Sequence, residues 1–359
     1  MLSPRFRFIL FGLLGLAFGL GFVAFMMRFS VRVPFVSINP PSYPGVKTVG
    51  MWQGGGIRVE EPPIRLLFAG DIMLDRNVAR RSLLAKDLGR PFRLLPEDWF
   101  SSADFALANL EGPVTDKRRP PEKSIDFQFD PTLIPVLKDQ GIDAFDQANN
   151  HALDQGEAGY VDSVKRLRDA EFLVFGHQVK DDTVGMATTT IRGKRFAFLG
   201  FNTTDNPLDR AAVTADLAVA KQQADFIIVM MHWGQEYRDT PEANTKEMAH
   251  WLIDQGADAV IGGHPHWVQG IESYKNHPIA YSLGNFIFDQ DFSIETRQGL
   301  AVELDVSDHG VILKPIPIQI DQSQPRVLVG AEKQKRLEAL AKISDAGLKE
   351  QILEGAISF

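Results

Sequence analysis

The sequence predicts an α/β fold with mixed β-sheets and an α+β tendency, and three observations support this prediction. From Ile64 onward, short apolar runs alternate with longer helical patterns, as in chains whose strands and helices alternate. The apolar runs contain few polar residues, which is typical of strands covered on both faces. A hairpin-like segment at 268–278 and a period-two stretch at 300–320 predict additional antiparallel strands.

Seven strands and four helices follow from these patterns. The strand-like runs lie at residues 64–69, 105–109, 144–148, 196–200, 226–231, 259–262 and 279–283. The helical patterns lie at residues 130–140, 156–170, 240–255 and 331–353. Since the two kinds of element alternate, we expect the helices to cover the faces of the sheets.

The N-terminal segment predicts a membrane anchor. Residues 8–27 form an uncharged apolar run of 20 residues, and arginines flank it on both sides. A helix of this length spans the hydrocarbon core of a bilayer. The run ends in Met26-Met27-Arg28, which is a poor cleavage site for a signal peptide, so we expect an uncleaved single-pass anchor in the cell membrane. The flanking charges leave its orientation open.

The chain divides into four predicted segments. Residues 1–30 hold the anchor, and residues 31–63 contain six prolines and five glycines, a composition typical of a tether. Residues 64–328 form the predicted α/β domain. Residues 329–359 form a predicted C-terminal helical tail.

Composition excludes several classes of protein. Hydrophobic residues at 44% and charged residues at 23% are ordinary for a globular chain. The net charge of −8 and the pI near 5.5 argue against a nucleic-acid-binding protein. The chain has no cysteine, which excludes disulfides, thiolate metal sites and a cysteine nucleophile. Any metal must therefore bind to His, Asp, Glu or Asn.

Six predicted strands end in a polar residue that can bind a metal or donate a hydrogen bond. These residues are Asp71, Glu111, Asn150 with His151, His232, His264 with His266, and Asn285. Sites in α/β folds form at the carboxyl ends of strands. Taken singly, each residue also has a structural explanation, such as a helix cap for Asp71 or a core position for His232. Together they predict a metal site.

The residue types narrow the choice of metal. His264 and His266 are two residues apart, so on an extended chain both imidazoles point to the same side. A mixed nitrogen and oxygen set without sulfur suits Mn²⁺, Fe²⁺ or Zn²⁺, whereas Ca²⁺ and Mg²⁺ sites rarely use three histidines.

An ordered set of motifs resembles the CapA family, named for a protein of bacterial poly-γ-glutamate capsule synthesis and distantly related to calcineurin-like metallophosphoesterases. The matching motifs are Gly70-Asp71-Ile-Met, Asn109-Leu-Glu111, Asn149-Asn150-His151-Ala-Leu-Asp154-x-Gly156, His232-Trp233-Gly234-x-Glu236-Tyr237, Gly263-His264-Pro-His266 and Ser282-Leu-Gly-Asn285-Phe286. Each motif is weak alone, but the order is specific. The resemblance implies a sandwich of two mixed β-sheets flanked by helices.

The resemblance also implies a role for each matched position. Asp71, Glu111 and His266 would bind one metal. Asn150, His232 and His264 would bind a second metal. Next to Asn150, His151 would act on the substrate as a general acid. The residues that would contact the substrate or support the ligands are Asp75, Asp154, Glu236, Tyr237 and Asn285, and packing or capping is an equally good explanation for each.

One position departs from the phosphoesterase pattern. The first phosphoesterase motif reads Asp-x-His, and Met73 stands at its third position. A thioether does not replace imidazole on a hard divalent ion, so the site at Asp71 loses a ligand unless Asp75 compensates. We therefore expect one firm metal site and a second that is weaker or absent.

Two functions are consistent with the resemblance. The preferred one is an extracytoplasmic, membrane-anchored, metal-dependent hydrolase of capsule, poly-γ-glutamate or related envelope polymer synthesis. The alternative is a non-hydrolytic component of a membrane synthase complex that binds or exports the polymer. The expected partners are the membrane, an anionic envelope polymer or its precursor, and polymer synthase subunits.

Overall fold

Two β-sheets form the centre of the protein, and helices cover their outer faces. The structure is a computed structural model that describes residues 61–176 and 185–359. The anchor predicted over residues 1–30 and nearly all of the tether predicted over 31–63 lie outside the described residues. No helix in the described ranges is long and apolar enough to cross a membrane.

The described residues contain fifteen β-strands and seven α-helices. The strands are β1 (Ile64–Ile72), β2 (Phe105–Leu110), β3 (Ala144–Asp146), β4 (Leu173–Phe175), β5 (Met186–Ile191), β6 (Lys194–Asn202), β7 (Phe226–His232), β8 (Ala259–Gly263), β9 (Ile271–Tyr274), β10 (His277–Ala280), β11 (Asn285–Ile287), β12 (Gln298–Ser307), β13 (Gly310–Asp321), β14 (Gln324–Val327) and β15 (Ile357–Ser358). The helices are α1 (Arg76–Ala85), α2 (Leu133–Asp139), α3 (Gly156–Asp169), α4 (Arg210–Gln223), α5 (Ala243–Gln255), α6 (Gly330–Ile343) and α7 (Lys349–Glu354).

Both sheets mix parallel and antiparallel pairing. The larger sheet has the order β14-β13-β12-β1-β2-β3-β4, with β11 parallel to β1 and β15 antiparallel to β13. Its strands β1 to β4 are parallel, whereas β12 to β14 pair antiparallel. The smaller sheet has the order β5-β6-β7-β8-β10-β9, in which antiparallel edge strands flank four parallel ones. The predicted mixed sheets of an α/β fold are therefore confirmed.

The alternation of side chains along β1 explains why the two sheets stack. Leu66 and Phe68 belong to a buried cluster that includes Phe198 of β6 in the smaller sheet. The intervening residues Leu67 and Ala69 belong to a different buried cluster, which includes residues of α2 and α3. Because successive side chains of a strand point to opposite faces, β1 contributes to two cores at once.

Helices cover the outer face of each sheet. Leu137 of α2 and Val164 of α3 are buried in the cluster on the outer face of the larger sheet. Leu217 of α4 and Leu252 of α5 pack with Val229 of β7 on the outer face of the smaller sheet. The layers therefore run helix, sheet, sheet, helix.

The predicted strands all occur, with small differences at their ends, and three predicted helices correspond to α2, α3 and α5. The prediction of one helix over residues 331–353 is wrong, because α6 ends at Ile343 and α7 begins at Lys349. Between them, the Ser344 hydroxyl accepts a hydrogen bond from the Ile271 amide, and the Asp345 amide donates to the Ile271 carbonyl. These tertiary bonds to β9 override local helix propensity.

The C-terminal residues complete the core between the sheets. Leu337 and Leu340 of α6 and Ile352 of α7 are buried in the same cluster as Phe68. After α7, strand β15 pairs with β13 in the larger sheet. The segment predicted as a helical tail therefore packs into the core of the domain.

Truncating Ile352 tests this packing. Ile352 is fully buried, so Ile352→Ala is expected to lower the free energy of unfolding by about 2–5 kcal/mol through the lost burial and the cavity left behind. Urea denaturation of the full chain measures the change. Glu350→Ala on the exposed side of the same helix is the control and should stay within about 0.5 kcal/mol of the native chain. Equal effects of the two substitutions would contradict the packing.

Candidate metal centre

The polar residues predicted at strand ends meet at one edge of the two sheets. The side chains brought there are Asp71 from β1, Glu111 after β2, Asn150 and His151 after β3, His232 from β7, and His264 and His266 after β8. All of them except Asn150 are buried. The strands that carry them run parallel within each sheet, and their carboxyl ends therefore share an edge.

Asp71, Glu111 and His266 form a first group of possible ligands. One ligand atom from each lies within 4.8 Å of the others. The His266 Nε2 atom is 4.0 Å from a Glu111 carboxylate oxygen, and its Nδ1 atom is 3.7 Å from an Asp71 oxygen. Two carboxylates and one imidazole at these distances can converge on one divalent cation.

The carboxylate of Glu111 lacks hydrogen-bond donors at this edge of the sheets. Glu111 is fully buried, and neither of its carboxylate oxygens has a hydrogen-bond partner. Burial, and after it the nearby Asp71 carboxylate, raise the pKa of Glu111 well above its usual range. A buried carboxylate without donors is costly unless it is protonated or binds a cation. The residues of the first group therefore fit a metal.

A hydrogen bond to Asn285 orients the imidazole of His266. The His266 Nδ1 atom lies 2.9 Å from Asn285 Oδ1. The Asn285 amide nitrogen donates to Gln290 and to the Thr296 carbonyl, which fixes the amide oxygen toward His266. With Nδ1–H donating to Asn285, the Nε2 lone pair faces Glu111, as in metal-binding histidines whose second nitrogen is hydrogen-bonded.

Asn150, His232 and His264 form a second group. The His232 Nε2 atom is 2.9 Å from Asn150 Oδ1 and 3.2 Å from His264 Nδ1. Burial, and then the neighbouring imidazoles, lower the pKa of His232 well below its usual range. Burial also lowers the pKa of His264 to about 4. Both rings are therefore neutral near pH 7, which is the form that binds metals.

Asn109 lies between the two groups, although it was not among the residues predicted for the site. Its amide nitrogen donates to Asp71 at 2.8 Å and lies 3.4 Å from His232 Nδ1. Its amide oxygen accepts from Asn149 at 2.9 Å. The motif Asn109-Leu-Glu111 contained a signal for it, because residues two apart on a strand point to the same side and Glu111 is a ligand candidate.

His151 is paired with an acidic residue on the following turn. Its Nδ1 atom is 2.6 Å from Asp154 Oδ2, which also accepts from the Phe127 amide. The Phe127 ring lies 4.1 Å from the His151 ring, centroid to centroid. Asp154 therefore holds the orientation of the imidazole.

Met73 and Asp75 lie outside both groups. The Met73 side chain is fully buried in the cluster between the larger sheet and its helices, and its sulfur accepts a bond from the Asp75 amide. Asp75 caps α1: one carboxylate oxygen accepts from the Arg76 amide at 2.6 Å, and the other from the Gln128 amide at 2.9 Å. With both oxygens bound to backbone amides, Asp75 does not replace the missing metal ligand. It caps α1 instead of contacting the substrate or the metal.

Glu236 and Tyr237 lie at the rim of the first group. The charge of Glu236 contributes to the raised pKa of Glu111, after burial and Asp71. The Tyr237 ring stacks 6.0 Å from the His266 ring, and its hydroxyl accepts a bond from Gln290. Both residues can therefore face a molecule bound at this edge.

The backbone is strained around the site. Four residues that border it have positive φ angles: Arg76 (52°), Tyr237 (61°), His264 (93°) and His266 (57°). The other non-glycine residues with positive φ among the described residues lie in hairpins and at ends of helices. Such backbone strain tends to occur at functional sites.

Close approach to Asp71 requires a glycine at position 263. A Cβ atom on Gly263 would lie 2.8 Å from the Asp71 carboxylate oxygen, and this space is needed to bring β8 against the end of β1. The Gly262-Gly263 entry to His264 therefore permits the two sheets to share the edge.

The chain is similar to known proteins over most of its length. Residues 65–290 match the family described as "Bacterial capsule synthesis protein PGA_cap". The "PGA biosynthesis protein CapA" of Bacillus subtilis (strain 168) is 30% identical over 301 residues, which cover 77% of this chain and 78% of that protein. The "Capsule biosynthesis protein CapA" of Bacillus anthracis is 28% identical over 302 residues, covering 77% and 72%.

A likeness to a solved structure is more distant. The crystal structure of a novel phosphatase from Mycoplasma pneumoniae is 14% identical, with a TM-score of 0.41, and covers 74% of this chain and 91% of that one.

The family match alone spans more than half of the chain and contains every residue of the two groups. The resemblance found in the sequence is therefore confirmed, and the chain belongs to the bacterial capsule synthesis protein family PGA_cap, which includes the CapA proteins.

Proposed function

We propose that this protein is a metal-dependent hydrolase that cleaves a phosphoester or polymer linkage during the synthesis of a capsule or related envelope polymer. The observation that carries the proposal is the Glu111 carboxylate, which is buried without a hydrogen-bond partner beside Asp71 and His266. A cation or a proton satisfies such a group, and the second group adds two histidines that are neutral near pH 7.

In this proposal, some residues of the site bind metal and another donates a proton. Asp71, Glu111 and His266 would hold one Mn²⁺, Fe²⁺ or Zn²⁺, and the second group would hold another. Such an ion lowers the pKa of a bound water and polarises the scissile group. His151, oriented by Asp154 at 2.6 Å, would donate a proton to the leaving group.

The names of the relatives and the N-terminal sequence support a location for this reaction. Relatives that share about 30% identity are named for the biosynthesis of PGA or of a capsule. The uncharged run at residues 8–27 supports a single-pass anchor, and we place the domain on the outer side of the cell membrane, where an envelope polymer would be found. An anionic envelope polymer or its precursor would then be the substrate, and polymer synthase subunits would be the partners.

Met73 favours a second candidate function. Because no imidazole stands at that position, the first group has three ligands among the described residues. A weakly bound metal suits a component that binds the polymer for a synthase complex without cleaving it. Tight polymer binding with no cleavage of phosphodiesters or γ-glutamyl peptides would favour this function over the hydrolase.

Glu111→Gln tests the metal site. The native full chain should contain Mn, Fe or Zn and lose thermal stability when the metal is chelated. The variant should contain less metal, and its stability should not respond to chelation, because it lacks the buried charge that binds the ion. Elemental analysis and melting curves measure both effects. The exposed Glu97→Gln is the control, and a native chain without metal would refute the proposal.

His151→Ala tests the proton donor. Hydrolysis is expected to fall by about 10²–10⁴-fold, while metal content stays native, because His151 belongs to neither ligand group. Asp154→Asn should lower the rate in the same direction by loosening the imidazole. The exposed His309→Ala is the control. Native rates in the His151 variant would exclude this residue as the general acid.

Metal affinity should fall in acid. Burial raises the pKa of Asp71 to about 6, whereas burial lowers the pKa of His266 to about 3. As pH falls from 7 to 5, Asp71 takes up a proton that competes with the metal, while His266 stays neutral. The affinity for Mn²⁺ should therefore drop about tenfold or more over this range, as measured by titration of the metal-free chain. An affinity that does not change with pH would contradict this assignment of ligands.

A further inference from the structure

We propose that Arg76 binds an oxyanion of the substrate, either a carboxylate or a phosphoryl group, next to the candidate metal centre. The inference rests on the proposed function only in placing a substrate at this edge of the sheets. It adds the chemical class of the group that is recognised and the residue that recognises it. Arg76 is the first residue of α1, four residues after the end of the strand that carries Asp71.

A buried carboxylate anchors the guanidinium of Arg76. Its Nη2 atom lies 2.9 Å from Asp289 Oδ1, and the Asp289 side chain is fully buried. The other Asp289 oxygen accepts from the Asn77 amide. A guanidinium has five N–H donors in a planar fork, so one anchored edge leaves donors for a second anion. The Arg76 side chain is 38% exposed, so an anion from solution can reach it.

Aromatic rings connect Arg76 to the catalytic side of the site. The Arg76 guanidinium carbon lies 5.7 Å from the centre of the Phe127 ring, and that ring lies 4.1 Å from the ring of His151. Asp289 directly follows Phe288, whose ring is 4.9 Å from the ring of His266. Arg76 is therefore separated from His151 by the Phe127 ring, and its partner Asp289 is next in sequence to the phenylalanine that contacts His266.

The charge of Arg76 acts on the site. Burial is the main cause that lowers the pKa of His266, and the positive charge of Arg76 adds to it. The nearby carboxylates of Glu236 and Asp154 would repel an anionic substrate. A cation at this rim offsets that repulsion and aligns an oxyanion through paired hydrogen bonds.

A purely structural role does not account for Arg76. Its φ angle of 52° is unfavourable for any residue with a Cβ atom, and the Asp75 cap is made by the carboxylate of Asp75 and not by Arg76. The ion pair with the buried Asp289 carboxylate uses one Nη atom of a side chain that is 38% exposed, so it leaves other donors of the guanidinium facing solvent. A glycine would adopt this backbone without strain. The strained arginine is therefore explained by what its side chain binds.

The test compares Arg76→Gly and Arg76→Lys with the native full chain. Calorimetric titration with inorganic phosphate and with an oligo-γ-glutamate peptide measures anion binding. Arg76→Gly should bind at least one probe about tenfold or more weakly, because a charge-assisted hydrogen bond is lost. Arg76→Lys keeps the charge and the ion pair with Asp289 but loses the planar, forked set of donors. Its affinity should lie between those of the native chain and of Arg76→Gly. Melting curves establish that each variant folds.

The matched control is Arg80→Gln, one turn along α1 on an exposed position. It should bind both probes like the native chain. Loss of phosphate binding alone in Arg76→Gly identifies a phosphoryl group, and loss of peptide binding alone identifies a carboxylate. Native affinity of Arg76→Gly for both probes, or no binding of either probe by the native chain, would overturn the inference.

Metal content separates this inference from the proposed function. If the native chain contains no metal but its anion binding still depends on Arg76, the proposed hydrolase is refuted and the role of Arg76 is supported. If the native chain contains metal and anion binding is unchanged in Arg76→Gly, the role of Arg76 is refuted and the proposed hydrolase is supported. Arg76→Gly should keep the native metal content, since Arg76 belongs to neither ligand group.

Discussion

Buried negative charge with too few hydrogen-bond donors is the constraint on which the site depends. Glu111 and Asp71 are removed from water at the end of the larger sheet, and only Asp71 receives donors, from Asn109 and the His264 amide. In a folded chain without a cation, such carboxyl groups tend to retain protons. The neighbouring imidazoles are buried and neutral, so they add ligands without supplying the missing positive charge.

Each ligand group draws on both sheets. Asp71 and Glu111 come from the larger sheet, whereas His266 follows β8 of the smaller one. In the second group, Asn150 follows β3, and His232 ends β7. The distances between ligands are therefore set by the core between the sheets rather than by either sheet alone. This is why Gly263 and the stacked apolar faces of β1 and β6 matter for chemistry as well as for stability.

The ends of the apolar strands, and the polar residues that follow them, could be predicted from sequence because that pattern is local. Arg76 and Asn109 could not be assigned, since their positions depend on contacts across elements: Arg76 with Asp289, and Asn109 with Asp71 and His232. Asp75 had the residue type of a ligand, but the folded backbone uses it as a helix cap. Helix α1 carries exposed leucines, which obscured its apolar periodicity.

The position of β1 has a consequence for how the protein folds. Its neighbours in the sheet are β2, which follows within about forty residues, and β11 and β12, which lie more than two hundred residues along the chain. Pairing across such a separation must wait until most of the chain is available, and loop-closure entropy opposes it. The strand that carries Asp71 therefore acquires its full set of partners late, and partly folded chains expose an unpaired edge to aggregation or to chaperones.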